Sequence, residues 1–154
     1  MPDRTYEFVQ LDVFTQTPLT GNALAVFTDA RGLDDDEMQA LAREMNLSET
    51  TFILPRDPAT EAHKVRIFTV AEELPFAGHP TLGTALHLYA SEPAPNSKKS
   101  DQITLDLKAG RFRCVSPPTR RMPDVAERTV RSSAKCANAI RNSEARFRVK
   151  RSLA

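Results

Sequence analysis

The stretch from Met45 to Phe52 places a glutamate, Glu49, between the end of a predicted helix and an apolar strand. A carboxylate in that position can be drawn partly out of water, and a partly desolvated carboxylate is suited to giving and taking protons. Glu49 is therefore the first candidate for acid/base chemistry. The alternative is a solvated glutamate in a turn, which is the usual setting of this residue type.

A second candidate is the pair Gly78 and His79, which stands immediately before Pro80 at the predicted start of a helix. Backbone N–H groups at a helix start, together with a neighbouring imidazole, offer donors to an anionic group of a ligand. The pair therefore indicates a site for a substrate anion. The alternative is a histidine that caps its own helix.

A third candidate is Asn22, which follows Gly21 at the start of an apolar run. The alternative there is ordinary turn chemistry, because glycine and asparagine are frequent in turns. The sequence contains no Walker loop, GxGxxG, HExxH or GxSxG motif, which argues against nucleotide, zinc and serine-hydrolase chemistry. Cys114 and Cys136 lack CxxC spacing, so neither a metal site nor a disulfide framework is predicted.

Alternating apolar residues and turn signals predict an α+β chain that is rich in strands and has two helices. The first helix begins in the acidic run Asp34–Glu37, which favours a helix N-terminus, and ends at Asn46. The second begins near Pro80, and because it is mostly apolar and contains Gly83, we expect it to be buried against close neighbours. The predicted strands are residues 6–14, 23–27, 50–54, 62–70 and 103–107.

The net charge of +1 conceals an asymmetry between two parts of the chain. Residues 1–113 contain 11 basic and 17 acidic residues, whereas residues 114–154 contain 10 basic and 3 acidic residues. From Ser116 onward the large apolar residues are too scattered to form a core face. We therefore expect residues 1–113 to form one domain and residues 114–154 to be a basic, mostly disordered tail.

The composition predicts a soluble globular protein, because 40% of the residues are hydrophobic and no apolar run approaches the ~20 residues of a membrane-spanning helix. The N-terminus has no basic leader followed by an apolar run. We therefore expect a cytoplasmic protein with no membrane partner.

Taken together, the three candidate stretches resemble the N-terminal half of the PhzF family of phenazine-biosynthesis-like isomerases. The likeness runs from about Tyr6 to Arg113. It rests on five motifs in order: Asp-Val-Phe, Gly-Asn with Ala-Val-Phe, Met-Asn-Leu-Ser-Glu-Thr-Thr-Phe, Arg-Ile-Phe-Thr and Glu-Leu-Pro-Phe-Ala-Gly-His-Pro-Thr-Leu-Gly-Thr-Ala. The resemblance implies one diaminopimelate-epimerase-like half, a mainly antiparallel sheet wrapped around a central helix, followed here by an irregular C-terminal tail.

The resemblance also implies roles for the candidate residues. Glu49 matches the family's general acid/base, Gly78 and His79 match its substrate-contacting pair, and Asn22 lies in a loop that faces the cleft. The implied chemistry is cofactor-independent proton transfer on a small carboxylate-bearing substrate. Ala77 stands where related epimerases have a catalytic cysteine, so a two-thiol mechanism is not expected.

The resemblance stops near Arg113, where family members continue into a second domain that completes the cleft. We hypothesise that residues 114–154 are out-of-frame translation of that half, which reading the gene in its other two frames would test. The predicted function is a PhzF-like isomerase with little or no activity from this chain alone.

Two alternatives stay open: a catalytically inactive fragment, and a non-enzymatic module whose basic arm binds nucleic acid. The expected partner is a small-molecule substrate. A homodimer is the arrangement in which a second copy would face the site, and nucleic acid is not an expected partner.

Overall fold

The computed structural model describes residues 4–15, 19–91, 102–115 and 145–149, the last of these as backbone alone. Within these ranges the chain forms two helices, α1 (Asp35–Met45) and α2 (Gly78–Ser91). The strands are β1 (Arg4–Val13), β2 (Asn22–Phe27), β3 (Glu49–Arg56), β4 (His63–Phe68), β5 (Glu73–Leu74), β6 (Gln102–Leu107), β7 (Gly110–Val115) and β8 (Ala145–Val149).

The described strands form one sheet with neighbours in the order β7-β6-β4-β3-β2-β1-β8, and the short β5 pairs with the end of β4. The pairings β2–β3 and β4–β6 are parallel, and the others are antiparallel. Helix α1 lies in the connection between the parallel neighbours β2 and β3, since parallel strands need a crossover. The predicted α+β class with a mainly antiparallel sheet is confirmed.

Helix α1 begins and ends where the sequence predicts. The Asp34 side chain accepts a hydrogen bond from the Glu37 N–H at 2.9 Å, and the Glu37 side chain accepts one from the Asp34 N–H at 3.0 Å, which is a capping box. Asn46 ends the helix in the left-handed conformation, with φ of 52°. The helix covers one face of the sheet and helps to bury an aromatic-rich cluster of Tyr6, Phe8, Ala25, Phe27, Ala30, Leu33, Met38, Leu41, Ala42, Phe52 and Phe68.

Helix α2 covers the opposite face, where it lies against β1, β2, β3 and β6. A Cβ atom on Gly83 would lie 2.5 Å from Leu24 Cδ2 and 2.9 Å from Val13 Cγ2, so this close approach depends on glycine. The buried Thr84 hydroxyl also bonds to Thr51 of β3 at 3.0 Å. The prediction of a buried second helix with close neighbours at Gly83 is confirmed.

The hairpin between β6 and β7 turns at Lys108 and Ala109, and Gly110 follows with a φ of 127° that glycine readily adopts. Strand β7 continues two residues beyond the predicted domain boundary at Arg113. The predicted disorder of residues 114–154 falls mostly on residues 116–144 and 150–154, which lie outside the described residues. Strand β8, which pairs with β1, was not predicted from the sequence.

Candidate active site

The three candidate stretches lie at the beginnings of three neighbouring elements. Asn22 is the first residue of β2, Glu49 the first of β3 and Gly78 the first of α2. Because β2 and β3 are parallel, with Leu24 opposite Glu49, both strands begin at the same edge of the sheet. The start of α2 meets this edge, since His79 is bonded to both strands. The structure therefore brings together residues that the sequence separates by up to 57 positions.

The carboxylate of Glu49 and the imidazole of His79 form a hydrogen-bonded pair. Glu49 lies on the α2 side of β3, the side it shares with Thr51 because alternate residues of a strand point the same way. Its Oε2 lies 3.0 Å from His79 Nδ1, and the two side chains are 20% and 9% exposed. The pair is thus largely shielded from water, while part of the carboxylate stays accessible to a ligand.

The hydrogen bond between the second imidazole nitrogen, Nε2, and Asn22 indicates which atoms of the Glu49–His79 pair carry protons. His79 Nε2 lies 3.1 Å from the backbone oxygen of Asn22, which can only accept, so we assign a proton to Nε2. The bond between Nδ1 and Glu49 then requires one further proton between those two atoms. The pair is either an imidazolium beside a carboxylate or a neutral imidazole beside a carboxylic acid. In both forms it holds one transferable proton.

The side chain of Asn22 has a different partner from its backbone. Its Oδ1 accepts a hydrogen bond from Ser48 Oγ at 3.2 Å, and the residue is exposed. Because Ser48 directly precedes Glu49, this bond ties the start of β2 to the turn that carries the glutamate. Ser48 is a residue of this site whose role was not predicted from the sequence. The available signal was a hydroxyl residue directly before the candidate base in the motif at 45–52.

Gly78 begins α2 at the surface of the chain, and nothing within the described residues requires a glycine there. A Cβ atom at this position would meet no atom of the described residues within 4 Å, and the φ of Gly78 lies outside the left-handed region. Helical hydrogen bonding starts with the bond from Thr81 N–H to Ala77 O at 3.2 Å. The N–H groups of Gly78 and His79 therefore have no partner within the helix and are donors for an anion.

A cavity of about 530 Å³ lies away from these residues, between α1, β4, β5 and β6. Its charged lining includes Arg66 and Glu73 and none of the candidate site residues. Within residues 4–15, 19–91 and 102–115, no group of three or more His, Cys, Asp or Glu side chains is arranged to hold a metal ion. In the same part of the chain, neither helix has the length and apolar character needed to cross a bilayer.

Comparison with known proteins gives a consistent family match. Residues 11–144 match the family described as phenazine biosynthesis-like proteins. A Pseudomonas aeruginosa protein named trans-2,3-dihydro-3-hydroxyanthranilate isomerase is 52% identical over 105 residues, which is 68% of this chain and 35% of that protein. The chain spans about a third of the length of the curated relatives it matches.

Solved structures show the same architecture. A protein described as a predicted epimerase from Pseudomonas aeruginosa is similar with a TM-score of 0.61 and 46% identity, over 70% of this chain and 37% of that one. A probable proline racemase from Agrobacterium radiobacter has a TM-score of 0.53 and 13% identity, over 70% of this chain and 36% of that one, and shows the fold alone. The predicted diaminopimelate-epimerase-like fold is confirmed.

Proposed function

Since this chain belongs to the family of phenazine biosynthesis-like proteins, we propose that it carries the acid/base half of an isomerase site. The reaction is cofactor-independent proton transfer within a small carboxylate-bearing substrate. The observation that supports it most directly is the bond of 3.0 Å between Glu49 and His79, with the other imidazole nitrogen held by the Asn22 backbone.

Glu49 is the general acid/base in this proposal. When the shared proton is on His79, the carboxylate takes a proton from a substrate carbon and becomes a carboxylic acid. The electron pair left behind is delocalised within the substrate, and the nearby imidazolium stabilises the negative charge that develops. Glu49 then returns the proton to a different position of the same molecule. Protons and electrons balance without a redox partner.

The substrate carboxylate binds at the start of α2 in this proposal. The N–H groups of Gly78 and His79 lack partners within the helix and lie at its positive end. No atom of the described part of the chain lies within 4 Å of the place a Cβ on Gly78 would take, which would let an anion approach the backbone closely. Asn22 borders the same site, with its backbone on His79 and its side chain on Ser48.

We expect the activity of the chain alone to be low, because the side of the site where the substrate would bind is open to water. Both Asn22 and Gly78 are exposed, and proton transfer from carbon is favoured when water is excluded from the reacting groups. A second copy of the chain is the partner that could cover the site. An exchange rate per chain that rises with chain concentration would support such a homodimer.

The test is solvent-deuterium exchange into trans-2,3-dihydro-3-hydroxyanthranilate, the compound named for the Pseudomonas aeruginosa relative. The full chain is incubated with this compound in D₂O, and deuterium in substrate and product is measured by mass spectrometry. We expect slow incorporation that falls by about 10²-fold or more in Glu49→Gln, the range of general acid–base contributions. Glu44→Gln, which changes an exposed glutamate of α1, is the matched control and should exchange like the unaltered chain.

Two results would contradict the proposal. Equal incorporation in Glu49→Gln and the unaltered chain would remove Glu49 from the chemistry. An absence of any incorporation by the unaltered chain, at every concentration tested, would favour the alternative of a catalytically inactive fragment.

A further inference from the structure

Phe14, the residue that follows β1, combines two features that do not stabilise the fold. Its φ is 64°, in the left-handed region that is unfavourable for a bulky residue with a Cβ atom. Its side chain is 61% exposed, so most of the free energy that burial of an aromatic ring provides is absent. A strained and exposed aromatic residue indicates a role other than stability.

The ring of Phe14 lies beside the Glu49–His79 pair. Its centroid is 6.2 Å from the centroid of the His79 imidazole, and the two planes are inclined by 44°. Both nitrogens of that imidazole are already bonded, one to Glu49 and one to the Asn22 backbone. Phe14 therefore adjoins the pair without competing for either nitrogen, and it gives the polar site an apolar side.

Another exposed phenylalanine provides a useful contrast. Phe76 stacks on Phe112, with centroids 4.6 Å apart and planes inclined by 21°. This stack gives Phe76 a packing role within the chain. Phe14 has an aromatic neighbour that belongs to the proposed catalytic pair, so the same explanation does not extend to it.

We propose that Phe14 is a specificity residue whose exposed ring contacts the unsaturated, planar part of the substrate. The inference rests on the proposed function and adds a binding residue to it: Phe14 selects a planar, unsaturated ring over a puckered ring of similar size. The substrate carboxylate would bind at the start of α2, and the substrate ring would lie against Phe14 with a reacting carbon near Glu49. Contact between two planar rings adds to affinity beyond simple burial. A ligand with a puckered, saturated ring would keep the contact of its carboxylate with the start of α2. It would lose part of the contact between its ring and Phe14.

The test compares two ligands of similar size by NMR titration of the full, isotopically labelled chain. Anthranilate carries a planar ring, and cyclohexanecarboxylate carries a puckered one. We expect anthranilate to bind more tightly and to show nuclear Overhauser effects to the Phe14 ring protons. Phe14→Ala should weaken anthranilate binding by about two- to tenfold, the range of an aromatic pair contact, and should remove the preference between the ligands.

Two further variants separate ring contact from damage to the loop. Leu19→Ala removes a side chain that is 90% exposed, from a residue with φ of 66° in the same β1–β2 connection, and should leave affinity unchanged. Phe14→Gly relieves the unfavourable φ, so this variant should be at least as stable as the unaltered chain while binding anthranilate as weakly as Phe14→Ala. Weak binding by a stable variant cannot be attributed to unfolding.

Several results would overturn the inference. These are equal anthranilate affinity in Phe14→Ala and the unaltered chain, equal weakening by Leu19→Ala, or no binding of anthranilate by the unaltered chain. Glu49→Gln should keep the preference for the planar ligand, because its amide changes the chemistry and not the ring contact. If exchange falls in Glu49→Gln while anthranilate affinity is unchanged in Phe14→Ala, this inference alone is overturned. If anthranilate affinity falls in Phe14→Ala while exchange is unchanged in Glu49→Gln, the proposed function alone is overturned.

Discussion

His79 donates through Nε2 to a backbone carbonyl, and this bond limits what its other nitrogen can do. Since the carbonyl oxygen of Asn22 accepts this hydrogen bond and is too weak a base to take the proton itself, the proton shared with Glu49 is the one that can move. An amide in place of the imidazole could still donate to the carboxylate, but it could not carry positive charge while the substrate carries negative charge.

We therefore predict that His79→Gln folds normally and lowers deuterium exchange by about 10²-fold, as loss of one charge-stabilising donor does in other enzymes. Exchange in D₂O and circular dichroism measure the two effects. His87→Gln, a change in a histidine further along α2, is the matched control. Exchange by His79→Gln at the rate of this control would show that the imidazole is not needed.

Variants of Asn22 and Ser48 distinguish two roles for the Asn22 side chain: positioning the turn before Glu49, or contacting the substrate directly. Asn22→Ala keeps the backbone oxygen that bonds His79, and it loses only the side-chain oxygen that accepts from Ser48. We predict that Asn22→Ala and Ser48→Ala each lower exchange by less than tenfold, and that the double variant is no worse than either. A much larger loss in Asn22→Ala would instead indicate direct contact between its side chain and substrate, the role that the family resemblance implies for a residue of the cleft-facing loop.

Two glycines of α2 should respond in opposite ways to alanine. Gly78→Ala meets no atom of the described chain, so stability should stay the same or rise by about 0.4–1 kcal/mol, while exchange falls because the methyl group occupies the proposed anion site. Gly83→Ala clashes with Leu24 and Val13 and should cost about 1–3 kcal/mol. Urea denaturation and deuterium exchange measure both variants. Normal exchange by Gly78→Ala would remove the anion site from this position.

At the scale of elements, strand β3 has neighbouring threonines in different surroundings. Thr51 Oγ1 accepts a hydrogen bond from Thr84 of α2, whereas the Thr50 hydroxyl is buried and lacks a hydrogen-bond partner in the part of the chain that the structure describes. A buried polar group without a partner is unfavourable. We predict that Thr50→Val is neutral or stabilises by about 1 kcal/mol, and that Thr51→Val destabilises by a similar amount. Urea denaturation would contradict this if the two variants lost equal stability.

The ion pair between Arg66 of β4 and Glu73 of β5 makes the stability of the folded chain depend on pH. Arg66 bonds to Glu73 at 2.7 and 2.9 Å, and this hydrogen bonding, with a further contribution from Lys108, holds the pKa of the Glu73 carboxyl below its usual range. A lowered pKa in the folded state gives stability that is present above the ordinary pKa of glutamate and is lost as pH falls through the folded value.

We predict that Glu73→Gln is less stable than the unaltered chain at pH 7. As the pH falls below about 4.5, the variant should lose less of its free energy of unfolding than the unaltered chain does. Urea denaturation between pH 3 and pH 7 measures the difference. Glu72→Gln changes the adjacent exposed glutamate and is the matched control. Parallel curves for Glu73→Gln and the unaltered chain would show that this carboxyl does not contribute to acid sensitivity.

At the scale of the whole molecule, short-range signals predicted both helices and five of the eight described strands, and long-range contacts completed the site. The acidic run at Asp34 and the left-handed Asn46 act within one helix, so α1 could be predicted from the sequence. The roles of Glu49 and His79 came from a family resemblance, but their hydrogen bond could not be predicted, because it depends on how β3 and α2 pack. The strained backbone of Phe14 left no signal in residue type or spacing.

The boundary at residue 113 and the out-of-frame origin of residues 114–154 stay predictions. The family match itself extends to residue 144, and β7 extends to Val115. Reading the gene in its other two frames is the measurement. We expect one frame to give a strand-rich continuation with a glycine-rich loop, and a lack of such a frame would contradict the hypothesis.

The order of the elements along the chain has a consequence for protein synthesis. Strand β3 is translated before α2, so Glu49 leaves the ribosome 30 residues ahead of the histidine that shares its proton. We therefore expect the carboxylate to stay hydrated until α2 docks through Gly83 and Thr84, since His79 reaches Glu49 only in the docked helix. A defect in that docking step would leave a nascent chain with every reacting group present and no site.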